Sequence, residues 1–355
     1  MSTWEENVRK VIPYTPGEQP NQPDMIKLNT NENPYPPAPG VLAAMKKLED
    51  HVDSLRLYPD PTSDTLVSAL ADFYHVGKDQ VFVGVGSDDV LSMCFLTFFN
   101  SEKPVFFPDI TYSFYKVWAD LYRIPYECKK VDENFHIIKE DYYPENGGVI
   151  FPNPNAPTSI YEDLEFVEDI IRHNQDVIVI VDEAYIDFAG ESALSLLDKY
   201  DNLIITQTFS KARSMAGMRI GYAIASPLLI KYLNDAKYSF NSYTMNKTSL
   251  VYGAEAVKDK EYFAETTRKI VETRDWAEEE FKKLGFVFPK PSANFIFVSH
   301  PEYDAKELFE AMKAKGIYVR FWGSERIEQY LRVTIGTREE MEALFAFLRE
   351  YMMKC

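Results

Sequence analysis

Two short segments carry most of the chemistry this sequence can offer. Asp182-Glu183-Ala184-Tyr185 follows the apolar run Val177–Val181, and Gln207-Thr208-Phe209-Ser210-Lys211 follows Leu203–Thr206. Singly, each charged residue has a plainer use: Lys211 as a solvated side chain, Asp182 as a helix N-cap or half of a buried ion pair. Together they bring a carboxylate and an amine to one edge. Nearby segments could bind an anion. Gly86-Ser87 opens a helix, where free N–H groups and the helix dipole favour negative charge, and the plainer reading is a tight strand–helix turn. Ser210 offers a hydroxyl and Arg219 a forked guanidinium. A dinucleotide fingerprint is excluded, because G-x-G-x-x-G would need glycine where Asp89 stands, and no Walker A pattern occurs.

The positioning elements follow from the apolar runs. Residues 81–83, 105–107, 149–151, 177–181 and 203–206 are unbroken apolar stretches separated by helical patterns, with 220–224 as a further candidate strand. Runs without alternation indicate strands buried on both faces, hence an α/β fold with a mostly parallel sheet sandwiched by helices. Ligands of such sheets sit at the carboxyl ends of the strands, where both segments fall. Residues 62–76 read as a helix capped by Thr62 or Ser63, and 255–284 as one long helix. The strand 295–298, a helix near 304–315, the strand 331–335 and a last helix suggest a small α+β domain. The expected division is an N-terminal arm rich in Pro and Asn over 1–35, a large domain over 36–245 and a small C-terminal domain over 246–355.

Composition bounds the rest. The 355 residues are 46% hydrophobic, 26% charged and 14% aromatic, with a formal net charge of −17. That balance speaks against nucleic acid and against anionic membranes as partners. Cys94, Cys128 and Cys355 are odd in number and widely spaced, and the five histidines lack ligand spacing, so neither a disulfide framework nor a metal site is expected. The segment MSTWEENVRK has no apolar core, no run is long enough to span a bilayer, and a cytoplasmic protein is expected.

Three motifs, in chain order, carry a resemblance: FPNPNAPTS (151–159), VDEAYIDF (181–188) and TFSKARSMAGMRIGY (208–222). They resemble the fold-type I aminotransferases that depend on pyridoxal 5′-phosphate. LNTNENPYPP (28–37), LRLYPDP (55–61) and LRVTIGTREE (331–340) are similar to the histidinol-phosphate branch of that family. The resemblance implies that Lys211 holds the cofactor as a Schiff base and moves the substrate proton. It implies that Asp182 faces the ring nitrogen, Tyr185 the phenolic oxygen and Tyr112 the ring face. Ser87 and Asp88, through their N–H groups, with Ser210 and Arg219, would form the phosphate cup. Tyr58 would reach the phosphate in the neighbouring subunit of a homodimer with shared active sites. Arg332 and Arg320 would grip the anionic end of the substrate, and Tyr14 and Asn29 on the arm would close over it. The implied partners are a small amino donor and a 2-oxo acid acceptor: L-histidinol phosphate and 2-oxoglutarate, giving imidazole-acetol phosphate and glutamate.

Two residues depart from the family pattern. Where an asparagine would meet the phenolic oxygen stands Ala156, and Asn155 is expected to take over. Ser159 stands where a glycine usually ends the motif. Two alternatives within the same chemistry are an aromatic-amino-acid aminotransferase and a threonine-phosphate decarboxylase; a third is a non-catalytic sensor on the same fold.

Overall fold

The computed structural model describes residues 4–353. An extended segment leads into a two-residue strand, β1 (Ile26–Lys27), and helices α1 (Pro39–Glu49) and α2 (Asp64–Tyr74). Strands and helices then alternate: β2 (Val81–Gly84), α3 (Ser87–Phe98), β3 (Val105–Pro108), α4 (Phe114–Tyr122), β4 (Tyr126–Lys129), β5 (Gly148–Pro152), α5 (Leu164–His173), β6 (Val179–Asp182), β7 (Leu203–Thr208) and β8 (Gly221–Ala225). Helices α6 (Pro227–Phe240), α7 (Lys247–Lys258) and α8 (Lys260–Lys283) follow. The chain ends with β9 (Phe295–Val298), α9 (Ala305–Ala314), β10 (Ile317–Tyr318), β11 (Arg320–Phe321), β12 (Leu331–Thr334) and α10 (Arg338–Met352).

Seven strands form the central sheet in the order β2-β8-β7-β6-β5-β3-β4. The pairs from β7 through β4 are parallel, and β8 runs antiparallel to both β2 and β7. Every residue of β2, β3 and β5 to β8 is buried, as the unbroken apolar runs require, whereas the edge strand β4 is partly exposed. Two apolar clusters contain the two faces of these strands: Val149, Val181 and Ile205 belong to one, and Ile150, Ile180 and Ile204 to the other. The alternation of neighbours between clusters is the period of two of an extended chain. Register does the rest: Pro152 pairs with Asp182, Asp182 with Thr206, and Thr208 with Gly221, so the chemically active residues emerge along one edge.

A second, three-stranded antiparallel sheet, β11-β12-β9, packs with α8, α9 and α10 around Ile270, Phe281, Phe295, Leu308 and Leu344. β1 pairs in parallel with β10, and the fully buried Leu28 joins this cluster. The end of the arm is thus built into the C-terminal part of the molecule.

Three details differ from the sequence expectation. Helix α2 takes no side-chain cap from Thr62 or Ser63: Ser63 is left-handed (φ 57°), and the Asp60 carboxylate accepts from the Thr62 and Asp64 N–H groups at 2.9 Å each. The long helix is two, parted at Asp259, whose side chain caps α8 by accepting from the Tyr262 N–H at 3.1 Å. The strand expected over 177–181 begins at Val179, because the Val177 N–H bonds the Asn174 carbonyl instead. Cys94 and Cys128 are free thiols, and Cys355 lies outside the described residues.

Candidate active site

The carboxyl ends of β6 and β7 and the turn after β2 converge on a cavity of about 220 Å³ lined by Asp182, Tyr185, Ser210, Lys211, Ser87, Asp88, Tyr112 and Arg219, among others. Lys211 Nζ donates to the Thr30 carbonyl at 2.9 Å and lies 5.7 Å from the centre of the Tyr185 ring. Asp182 is 4% exposed; its carboxylate accepts from the Tyr115 hydroxyl at 2.8 Å and from Thr206 Oγ1 at 3.4 Å. Burial pushes the Asp182 carboxyl up to about 6, against the hydrogen bonds that favour its charge. Burial, then the neighbouring Asp182, holds the Tyr115 phenol well above its usual range, so Tyr115 is a fixed donor. The Tyr185 hydroxyl accepts from Asn31 Nδ2 at 2.9 Å.

The opposite end of the cavity is a backbone cradle. Gly86 has φ +88°, and a Cβ there would lie 2.4 Å from Arg219 Nη2. A Cβ on Gly221 would lie 2.2 Å from the Ser87 nitrogen. Only glycine at both positions lets β8 and the start of α3 close around this point. Arg219, itself left-handed at φ 51°, reaches Asp88 at 3.2 Å, and the Tyr112 hydroxyl donates to the other Asp88 oxygen at 2.6 Å. The free N–H groups of the first turn of α3, the Ser210 hydroxyl and the Arg219 guanidinium make this end suited to a dianion.

A second chamber of about 460 Å³ adjoins the first through Thr30, Tyr112, Ala156 and Tyr185, which line both. Arg332 and Arg320, paired across β11 and β12, lie on its wall with Tyr14 and Asn29. Arg332 Nη2 donates to the Asn29 carbonyl at 2.8 Å, both arginines lie 5.2 Å from the Trp322 ring, and Arg332 Nε is buried without a hydrogen-bond partner among the described residues. Tyr14 stacks on Phe114 with ring centres 4.2 Å apart, and the Asn29 amide donates to the Glu18 carbonyl at 2.7 Å.

One expectation is not met by the geometry. Asn155 lines neither chamber: its amide donates to the Ile110 carbonyl at 2.9 Å and Thr158 Oγ1 at 3.2 Å, and its oxygen accepts from Thr111 at 3.0 Å. All its hydrogen bonding is spent on the loop, and Ala156 faces the cavity in its place. Tyr58 lies off the cavity of its own chain, 81% exposed and stacked on Tyr243 at 4.6 Å. The departure at Ser159 has a use: with φ +66° it keeps the left-handed turn, and its Oγ accepts from the N–H groups of Ser292 at 3.0 Å and Ala293 at 2.8 Å.

Sequence reasoning missed Asn31, which is left-handed (φ 59°) and buried. It holds the Tyr185 hydroxyl, exchanges hydrogen bonds with Thr334, and its carbonyl accepts from Asn294 at 3.0 Å. The run NTNENP gave a weak signal, since Asn tolerates positive φ. Glu32, ion-paired to Lys27, and the Thr30 carbonyl were missed for the same reason, being brought in by the arm.

The family model of the class I and II aminotransferases matches residues 23–348. The chain belongs to this family. It is 48% identical over all 355 residues to a histidinol-phosphate aminotransferase of Clostridium botulinum, covering 100% of both chains. It is 49% identical over 351 residues to one of Lactococcus lactis subsp. cremoris, covering 99% of this chain and 98% of the other. Among solved structures, histidinol-phosphate aminotransferase from Clostridium acetobutylicum shares the fold at a TM-score of 0.85 and 21% identity, covering 92% of this chain and 99% of that one. The enzyme from Sinorhizobium meliloti, solved with pyridoxal 5′-phosphate, matches at 0.81 and 24%, covering 91% and 90%. This aminotransferase is therefore a pyridoxal-phosphate enzyme, and its cavity fits that cofactor: an amine, a buried carboxylate with no cationic partner among the described residues, and a glycine-built anion cradle surround one space. Among the described residues no cluster of His, Cys, Asp and Glu is arranged for a metal, and no helix is long and apolar enough to cross a membrane.

Proposed function

We propose that this aminotransferase interconverts L-histidinol phosphate and imidazole-acetol phosphate, with 2-oxoglutarate and glutamate as the second pair. The observation that carries the choice of substrate is the likeness, along the whole chain, to relatives bearing that name. The two arginines on one wall of the chamber beside Lys211 support it, since their contacts are with Trp322 and the Asn29 carbonyl, not with a carboxylate among the described residues, and a phosphate monoester suits both.

Bound pyridoxal phosphate supplies an electron-accepting ring that stabilises negative charge developing at the substrate Cα. Lys211, whose amine lines the cavity, would hold the cofactor and, when free, its amine would take up and return the substrate Cα proton. Asp182, buried at the end of β6, would hold the cofactor ring in its protonated form through its negative charge. Tyr185, held by Asn31, would offer its hydroxyl to the cofactor, and Tyr112, on the same cavity wall, would pack against it. The first turn of α3, Ser210 and Arg219 hold the cofactor phosphate, while Arg332 and Arg320 take the distal anion of the substrate. Tyr14, stacked over the outer chamber, and Asn29 shield it from water.

The same reading includes a cytoplasmic homodimer. Leu57, Tyr58, Phe240 and Tyr243 are exposed apolar side chains, from 44% to 81%, on segments joined by the Tyr58–Tyr243 stack, which suits burial against a second copy. The arm (1–35), large (36–245) and small (246–355) divisions belong to this proposal too.

The test is the visible absorption of the purified holoenzyme mixed separately with L-histidinol phosphate, L-phenylalanine and threonine phosphate. Loss of the cofactor band with histidinol phosphate alone supports the reading. Loss with phenylalanine alone moves the substrate to aromatic amino acids, and carbon dioxide released from threonine phosphate makes the enzyme a decarboxylase.

A further inference from the structure

The outer chamber carries more positive charge than the two arginines. Lys116, on α4, and Lys130, just after β4, line it as well, and both are exposed. They come from the central-sheet part of the molecule, whereas Arg320 and Arg332 come from the second sheet. The chamber also has three further charged residues. Asp109 and Arg326 neutralise each other at 3.0 Å, leaving Glu325 as its one carboxylate without an ion-pair partner among the described residues. The unpaired set is then four cations and one anion, a net of +3 from 4 − 1, in a protein of formal charge −17. Burial opposes the charge on Arg332, and the like charge of Arg320 adds to that, so an incoming anion relieves both.

A strongly acidic protein repels anions at long range, and a localised positive mouth with low-dielectric walls focuses the field against that background. Lys116 and Lys130 lie on the exposed part of the lining and the arginines deeper, with Arg332 half-buried, so an anion meets the lysines first. We propose that Lys116 and Lys130 form an outer anion-recruiting subsite, which selects substrates whose distal group is negatively charged, a phosphate monoester or a second carboxylate, and hands them to Arg320 and Arg332. This rests on the amino-transfer reading above and adds two residues that select substrate before chemistry begins. The two lysines do not touch the reacting atoms.

The experiment uses the holoenzyme with Lys116→Glu/Lys130→Glu against a control of equal charge change, Lys103→Glu/Lys199→Glu. The control residues precede β3 and β7 at the amino ends of the strands, across the sheet from the site. At low salt, kcat/KM for both L-histidinol phosphate and L-glutamate is expected to fall on the order of tenfold relative to the control, mainly through KM. The difference should shrink to about twofold at roughly 0.5 M salt, where screening acts within a few ångströms. L-Histidinol, the same molecule without its phosphate and carrying a positive charge, should show the opposite sign as a competitive inhibitor and bind more tightly to the variant. Lys116→Arg/Lys130→Arg should restore the wild-type values. Equal kcat/KM in variant and control, a fall that salt does not relieve, or weaker binding of L-histidinol would overturn the proposal, as would loss of the cofactor band in the variant. If L-histidinol phosphate is not turned over by any form, the substrate reading fails while the glutamate arm still decides the role of the lysines.

Discussion

Replacing Asp182 with asparagine should make the cofactor-free protein more stable while crippling the enzyme. Asp182 is buried at the end of β6 and receives hydrogen bonds from Tyr115 and Thr206, but among the described residues no cation pairs with it. Its carboxyl titrates at about 6 in the fold against 3.8 for an ordinary aspartate. At about 1.4 kcal/mol per pH unit, that gap is roughly 3 kcal/mol. The sign follows from linkage. Below pH 3.8 the group is protonated in both states and costs nothing. Between 3.8 and about 6 the unfolded chain ionises while the fold stays neutral, so stability is lost; above about 6 the loss is complete. Asp182→Asn removes the titration and keeps the shape. Urea unfolding of the apo forms, from about pH 4 to about pH 8, should therefore give a variant-minus-wild-type difference that climbs in the variant's favour by roughly 3 kcal/mol through this window and then levels off. Glu183, raised to about 7 by burial, titrates nearby in both proteins and largely cancels in the difference. The holoenzyme should move the other way, losing cofactor affinity and most turnover, because the carboxylate's charge is then offset by the protonated ring. A flat difference across pH would refute the claim that Asp182 is an uncompensated buried acid in the apo fold, and unchanged turnover would show the carboxylate to be structural.

Lys211→Ala should abolish turnover and the visible band given by the lysine–cofactor linkage, yet unfold as cooperatively as the wild type in the apo form; normal activity would end the assignment. Asn155→Ala should keep the cofactor spectrum but destabilise the protein by about 1–3 kcal/mol, because the Ile110 carbonyl and Thr111 lose a buried partner, as urea unfolding would show. Ser159→Gly leaves the Ser292 and Ala293 N–H groups without the hydroxyl they bond, while glycine relieves the left-handed backbone. The net is a loss of about 1 kcal/mol, with the spectrum again unchanged. Arg332→Lys should raise KM for L-histidinol phosphate at least about tenfold with a smaller effect on kcat, since an ammonium cannot reproduce the forked contact.

The parts of the site readable from sequence are those fixed by a buried strand and its end. Asp182 and Lys211 follow runs that could only be central strands, and sheet geometry then forces them to one edge. The same logic is silent about direction: Gly221–Ala225 is as buried as its neighbours, and nothing in its side chains records that β8 runs against them. Helix periodicity likewise continued across Asp259, since one capping residue interrupts the backbone without interrupting the apolar pattern. Residues of the arm were the least legible, because their positions come from contacts distant in sequence, 303 residues for Asn31 with Thr334 and 181 for Thr30 with Lys211.

The error at Asn155 shows what residue type alone cannot supply. An asparagine beside a vacated asparagine position looks like a replacement, but an amide has two donors and one acceptor oxygen to satisfy, and here the loop claims them before any ligand does. The tyrosine that this asparagine would have assisted is served from the other side, by Asn31 on the arm. Holding Tyr185 through Asn31 couples the site to the C-terminal sheet, because Thr334 and Asn294 grip the same residue. Tyr185, the carbonyl that receives Lys211 and the wall that carries Arg332 are thus joined through a few residues of the arm. In this aminotransferase the segment with the least secondary structure is the one that joins the walls of the two chambers.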